Sequence, residues 1–306
     1  MSKLCEGRVV IVTGGARGIG REHCLMLAEH GARVVVNDLG GARDGTGSDL
    51  GPADEVVAEI RDMGGEAIAN GDDVSDWEGA QHLVNQAVET FGDLHGVVNN
   101  AGILRDRMLV NMTEAEWDGV IQVHLKGTFA PSRSAAAYWR DKAKAGETVN
   151  ASIVNTSSVS GIYGNPGQTN YGAAKMGIAA FTIIAARELQ RYGVRVNAVA
   201  PGALTRMTED LGMGSASEED KALMHPRYIA PIVTWLMSAE SADVTGRVFE
   251  ASGRLLGIAN TWHRGPVHDA IDDPTQIADV ARQLVRDAQP NSDMQGEPYD
   301  GGLIGG

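Results

Sequence analysis

The chain has 306 residues, 43% of them hydrophobic and 22% charged, with 39 glycines, enough apolar material for a sizeable core and enough glycine for many tight turns. Its net charge of −14 repels phosphate backbones and anionic lipid, which argues against nucleic acid or a membrane as partner. Cys5 and Cys24 make no disulfide framework, and "MSKLCEGRVVIVTGG" is too short in apolar residues for a leader or a span, so a cytoplasmic location is expected.

In chain order, "RVVIVTG", "ARVVVND", "EAIANGDDV", "LHGVVNNAG", "ASIVNTSS", "VRVNAVAPG" and "GRVFEASG" read as seven strands. Several are apolar without alternation, as strands are when helices cover both faces of a parallel sheet. Helical segments lie between them, including "REHCLMLAEHG" and "DWEGAQHLVNQAVETFG", each closed by a glycine. The βαβαβ alternation predicts an α/β fold: a Rossmann-type, doubly wound, parallel seven-stranded sheet in a single domain over residues 1–264. Two stretches fall outside the pattern. One is the glycine-rich insertion at 39–52; the other is a tail at 265–306, in which 274–288 predicts one helix and the rest an extended or mobile end.

At the end of the first strand stands "TGGARGIG", with Gly14, Gly18 and Gly20 around Arg17 and Ile19. Glycines there let the backbone turn tightly and approach a pyrophosphate, which then meets the free N–H groups of a helix N-terminus. The turn opens the first helix, as a nucleotide-binding reading requires. Asp38 ends the second strand. A carboxylate at that place accepts hydrogen bonds from the adenosine ribose and repels a 2′-phosphate, which favours NAD over NADP; Arg17 pulls the other way, since it could pair with that phosphate. No metal is expected.

Further along, "SSVSGIYGNPGQTNYGAAK" puts Tyr171 and Lys175 four residues apart on a helix, and so on one face. An ammonium beside a phenol stabilises phenolate and predicts a lowered tyrosine pKa. Ser158, at the carboxyl end of the fifth strand, can donate a hydrogen bond to a substrate carbonyl, and ligands of open α/β sheets bind outside those strand ends.

Taken together, "TGGARGIG", "NNAG" at 99–102, Ser158, "YGAAK" at 171–175 and "APG" at 200–202 resemble the short-chain dehydrogenase/reductase family, over about residues 5–260. "VVNDLGG", "LHGVVNNAGILRDR", "VHLKGTF" and the stretch around Tyr171 are more narrowly similar to the (3R)-hydroxyacyl-CoA dehydrogenase portion of peroxisomal type 2 multifunctional enzymes. The resemblance implies hydride transfer between a nicotinamide cofactor and a 3-hydroxyacyl-CoA or its 3-oxoacyl-CoA. It makes Tyr171 the acid/base, Ser158 the residue that orients the oxygen, and Lys175 the group that holds the nicotinamide ribose, with Tyr171 and Lys175 both touching the cofactor. It assigns Asp73 and Val74 to the adenine, Asn100, Ala101 and Gly102 to the adenosine side of the cleft, and Pro201 and Gly202 to the nicotinamide end. It also implies a homodimer or homotetramer.

Two places depart from the family pattern. His124 in "IQVHLKG" stands where the family usually has the asparagine of a proton relay; it is a catalytic candidate or a packed helix residue. In "PGALTRMT" the threonine that would touch the carboxamide is shifted, so neither Thr205 nor Thr208 is assigned. Tyr163 and Gln168 are substrate contacts by their place in the loop before Tyr171, and Arg105 and Arg107 could meet an anionic CoA. The rivals are an NADPH-dependent 3-oxoacyl-carrier-protein reductase, a hydroxysteroid dehydrogenase and a catalytically silent nucleotide sensor.

Overall fold

In the computed structural model, residues 3–41, 47, 49–203, 218–260 and 262–299 are described. They fall into two compact units, Met1–Ala259 and Asn260–Gly306.

The first unit begins with β1 (Val9–Thr13), α1 (Gly18–Glu29), β2 (Arg33–Asn37), α2 (Gly51–Asp62), β3 (Glu66–Asn70), α3 (Trp77–Phe91) and β4 (Gly96–Asn99). It continues with α4 (Glu114–Ile121), α5 (Gly127–Lys144), β5 (Ala151–Thr156), α6 (Thr169–Leu189), β6 (Val194–Gly202), α7 (Glu218–Leu223), α8 (Ala230–Met237), β7 (Val248–Ser252) and β8 (Leu256–Ile258). The sheet runs β3-β2-β1-β4-β5-β6-β7-β8. All pairings are parallel except the last, where β8 lies antiparallel on β7. The seven expected strands are present. The eighth was not expected because its three residues carry no strand-length pattern; a short hairpin after β7 brings them back onto the edge.

Alternation explains why the central strands read as continuous apolar runs. Val10, Val12, Val34 and Val36 join one core with Leu27 of α1, Ile60 of α2 and Val233 of α8. Val9, Ile11 and Val35 join another with Leu83 of α3, Trp139 of α5 and Ala185 of α6. Both faces of the sheet are therefore covered, and polar residues are left for the strand ends. There Thr13 lies opposite Asn37, Asn37 opposite Asn70, and Asn99 opposite Asn155. The order reverses between β1 and β4, so the crevice of a doubly wound sheet opens at their carboxyl ends.

Local signals fix the helices around that crevice. Asp76 caps α3 through the Gly79 N–H, and Thr113 with Glu116 forms a capping box on α4. Between α4 and α5 the helix widens into a π turn, Gln122–Lys126, which carries His124; such turns often mark functional positions. A second π turn, Ser160–Gly164, carries Tyr163.

The second unit holds α9 (Ile277–Asp287) and a two-stranded hairpin of β9 (Asn291–Ser292) and β10 (Pro298–Tyr299). The tail's expected extended end thus includes a hairpin. Among the described residues no helix is long and apolar enough to cross a membrane.

Candidate active site

A cleft of about 610 Å³ opens at the carboxyl ends of β1, β2 and β4. Gly14, Arg17, Gly18, Ile19, Gly20, Asp38, Asp73, Val74, Asn100, Ala101 and Gly102 all line it. Its glycine turn is built so that nothing bulky fits. A Cβ on Gly20 would lie 2.0 Å from the Gly14 carbonyl oxygen, so the first turn of α1 reaches its packing only with glycine there.

Side-chain ties to the backbone hold the turn open. Asn100 Nδ2 donates to the carbonyls of Thr13 and Gly14, both at 3.1 Å. Asp38 Oδ2 accepts from the Ala16 N–H at 3.0 Å, and Oδ1 from the Gly40 N–H at 2.8 Å. Arg17, the N-cap of α1, makes no side-chain capping bond, and the first turn contains no acidic residue. Those N–H groups therefore suit an anion of the pyrophosphate kind. The rim carries Asp38, Glu55, Asp72 and Asp73 against Arg17 and Arg21. Arg21 is taken up by Glu59 at 2.5 Å and Glu22 at 3.1 Å, whereas no carboxylate among the described residues pairs with Arg17.

At the far end of the cleft Gly102 abuts His124. A Cβ at Gly102 would sit 2.3 Å from His124 Cε1, so glycine is what lets this histidine in. His124 Nε2 lies 2.7 Å from the Ile103 carbonyl oxygen and 3.1 Å from the Ile103 N–H, and the tautomer decides which is bonded. Its Nδ1 is buried without a partner. Burial, then the Lys175 charge, lowers its pKa to about 3, against the backbone bond to Ile103. A neutral imidazole results, its ring packed edge-on to Tyr171 with centroids 5.1 Å apart.

Tyr171 is half-buried on α6, with the Ser158 hydroxyl in its surroundings. Burial pushes its pKa up to about 12; the Ser158 hydroxyl works against that rise and the Asp106 charge adds to it. The expected lowering by Lys175 is absent. Lys175 is 3% exposed and its Nζ donates to the Thr156 carbonyl at 2.7 Å, 5.4 Å from the centre of the Tyr171 ring. Burial lowers its own pKa to about 7, so its charge is only partly available near neutrality. Ser158 is buried and its Oγ accepts from the Ser160 N–H at 3.1 Å. Neighbouring Ser157 points elsewhere, to the Lys175 carbonyl at 2.9 Å.

Pro201 and Gly202, at the end of β6, pair with Ala251 and Ser252 of β7 and do not line the cleft. Tyr163 donates to Glu250, and burial followed by that carboxylate pushes its pKa up to about 12. Gln168 is 5% exposed and spends both ends of its amide within the protein, on Asp106 Oδ2 at 2.8 Å and Asn165 Nδ2 at 2.9 Å. Arg107 pairs with Glu116 at 3.2 Å, and Arg105 donates to the Ala115 carbonyl at 3.1 Å. Thr205 and Thr208 lie outside the described residues. Sequence reasoning passes over Asn37, Asp72 and Ile103, which also line the cleft, and Asp106, which the arginines on either side of it overshadow.

A glycine-turn cleft at the switch point of a doubly wound sheet, with Ser158, Tyr171 and Lys175 beyond it, defines a dinucleotide-dependent oxidoreductase. The chain belongs to the short-chain dehydrogenases: the family model described as short chain dehydrogenase matches residues 8–215. It is an oxidoreductase acting on a CH–OH group with a nicotinamide cofactor, and is related to the dehydrogenase part of the type 2 multifunctional enzymes. It is 44% identical to the hydroxyacyl-CoA dehydrogenase ChsB1 of Mycobacterium tuberculosis, over 93% of this chain and 90% of that one. The peroxisomal multifunctional enzyme type 2 of Mus musculus is also 44% identical, over 85% of this chain but 33% of the longer enzyme. A crystal structure of a short chain dehydrogenase from Mycobacterium avium matches with a TM-score of 0.85 and 51% identity, covering 95% of this chain and 98% of that one.

Proposed function

We propose that the protein is an NAD-dependent dehydrogenase that interconverts a 3-hydroxyacyl-CoA and the 3-oxoacyl-CoA, in fatty-acid or sterol side-chain breakdown. The observation that carries the reading is the cluster of Ser158, Tyr171 and Lys175 at the end of β5, joined to the cleft through Gly102, Ile103 and His124. The substrate class is supported by the likeness to hydroxyacyl-CoA dehydrogenase ChsB1. Asp38, facing the cleft at the end of β2, supports NAD because its charge disfavours a 2′-phosphate.

When bound, the nicotinamide supplies the hydride acceptor or donor. In oxidation Tyr171 must first give its phenolic proton to solvent, which a pKa of about 12 makes costly, and the phenolate then takes the hydroxyl proton while the carbon gives up its hydride; in reduction the neutral phenol gives its proton to the carbonyl oxygen. Ser158, beside the phenol, orients that oxygen. Lys175, with its pKa lowered to about 7, holds or releases a proton near neutral pH at the base of the same pocket. His124, neutral in that range, packs against Tyr171 and serves as a wall.

Replacing Tyr171 by Phe is expected to cut turnover by about 10²- to 10⁴-fold and leave NAD affinity unchanged. Absence of turnover on any 3-hydroxyacyl-CoA by the parent chain sinks the substrate reading, and full turnover by the Phe variant sinks the catalytic one. A second reading, an NADPH-dependent 3-oxoacyl-carrier-protein reductase, draws on Arg17 and on a 38% identical 3-oxoacyl-[acyl-carrier-protein] reductase FabG of Thermotoga maritima. Turnover compared with NADH and NADPH separates the two, and a strong preference for NADPH overturns the cofactor assignment. The buried free thiols Cys5 and Cys24 suit a reducing, cytoplasmic compartment. Exposed Phe129 on α5 and Ile184 on α6 support a homodimer or homotetramer, which sedimentation would reveal.

A further inference from the structure

Three successive residues after β4 are stitched to the start of the helix that bears Tyr171. Asn170, 0% exposed, donates from Nδ2 to the carbonyls of Arg105 at 3.0 Å and Glu116 at 3.1 Å, and its Oδ1 accepts from the Tyr171 N–H at 2.7 Å. Asp106 Oδ2 accepts from Gln168 Nε2 at 2.8 Å. The Arg107 N–H donates to the Gly167 carbonyl at 2.9 Å. Gln168 is the N-cap of α6 but makes no side-chain capping bond, so the first turn of this helix is fixed from across the site rather than by its own cap. The other oxygen of Asp106, Oδ1, is shielded from solvent and has no partner. A shielded carboxylate oxygen without donors projects its charge further than a bonded one, because neither water nor a hydrogen bond screens it.

We propose that Asp106 is the positioning residue of Tyr171: Oδ2 fixes Gln168 and with it the first turn of α6, and the unpaired Oδ1 leaves its charge unscreened beside that turn. This rests on Tyr171 being the acid/base. The groups that act on Tyr171 are Ser158 from the loop after β5, His124 from the π turn, Lys175 from its own helix and, through its charge, Asp106 from the loop after β4. Of these, Ser158 favours the phenolate and Asp106 opposes it.

Asp106→Asn keeps the size and an oxygen that can accept from Gln168, and removes the charge. The ionisation of Tyr171 is followed by NMR of tyrosine carbon-13 labelled at Cζ in the cofactor-free protein, with Tyr171→Phe identifying the resonance. At about pH 10 the ionised fraction of Tyr171 is expected to rise about two- to threefold in the variant, and the pH profile of kcat for oxidation to move the same way. An unmoved titration overturns the charge role. Gln168→Met keeps the charge and cuts the tie: kcat is expected to fall about tenfold with the KM for NAD and the Tyr171 titration unchanged, as for a small misplacement of a reacting group. Parental kcat in that variant overturns the positioning role, and decides the matter alone if Asp106→Asn does not fold. Because the titration needs no turnover, an active Tyr171→Phe chain would sink the catalytic reading without touching this coupling, and an unmoved titration would sink the coupling without touching the reading.

Discussion

The two halves of the site are built by opposite means. At the glycine turn the side chains find backbone partners: Asn100 ties the turn to β4, Asp38 ties it to β2, and each tie has its partner in place. Around Tyr171, side chains are left partly unsatisfied: His124 Nδ1, Thr156 Oγ1 and Asp106 Oδ1 are buried without partners, and burial displaces the proton affinities of Tyr171, Lys175 and His124. A binding surface can be finished in advance because its ligand arrives to complementary groups. A reacting centre keeps its unpaired atoms and strained protonation states because these are what the reaction uses.

The largest test of that contrast is Lys175→Met. It removes the hydrogen bond to Thr156 and a costly buried cation, so kcat is expected to fall by about 10²- to 10³-fold while the thermal midpoint holds or rises. A large loss of stability with kcat preserved would make the lysine a structural strut and erase the contrast. Next comes Gly20→Ala on the other half. The new Cβ meets the Gly14 carbonyl oxygen, and overpacking of this kind costs about 1–3 kcal/mol. NADH titration by fluorescence is expected to show affinity about tenfold weaker or worse, with the Tyr171 titration unmoved. If both quantities move together, the halves are one unit.

The smallest test lies outside both. His23 on α1 is fully buried, neither ring nitrogen has a partner, and burial lowers its pKa to about 3 from 6.5. Between those values the unfolded chain binds the proton that the folded chain refuses, so stability rises with pH through the window and declines as acid is added below about pH 6.5. His124 adds to the slope for the same reason. In His23→Leu, denaturant titrations are expected to give a slope shallower by about 1.4 kcal/mol per pH unit, with stability at pH 7 equal or higher. An unchanged acid slope would mean that His23 keeps its proton equilibrium on folding.

Much of the site was readable from residue order alone. The glycine turn, Asp38, Asn100 and Gly102 announce the cleft because their roles depend on backbone shape at a strand end, a local property. The environment of Tyr171 was not readable in that way. The i,i+4 spacing puts Lys175 on the right face, but a side chain with four rotatable bonds chooses among acceptors, and the Thr156 carbonyl wins. Gln168 and Tyr163 sit in the loop next to Tyr171 as expected, yet Asp106 and Glu250, distant in sequence, take up their polar ends.

What the sequence determined is therefore what short-range chemistry fixes: apolar runs that need cover on both faces, a turn that only glycine can make, and a tyrosine and lysine on one helical face. Only the tertiary structure decided which buried polar atoms find partners and which do not. That outcome depends on segments such as 105–107 and 167–170 meeting across the fold, and on the water that their meeting excludes, so it sets the proton affinity of Tyr171 where spacing along the chain does not.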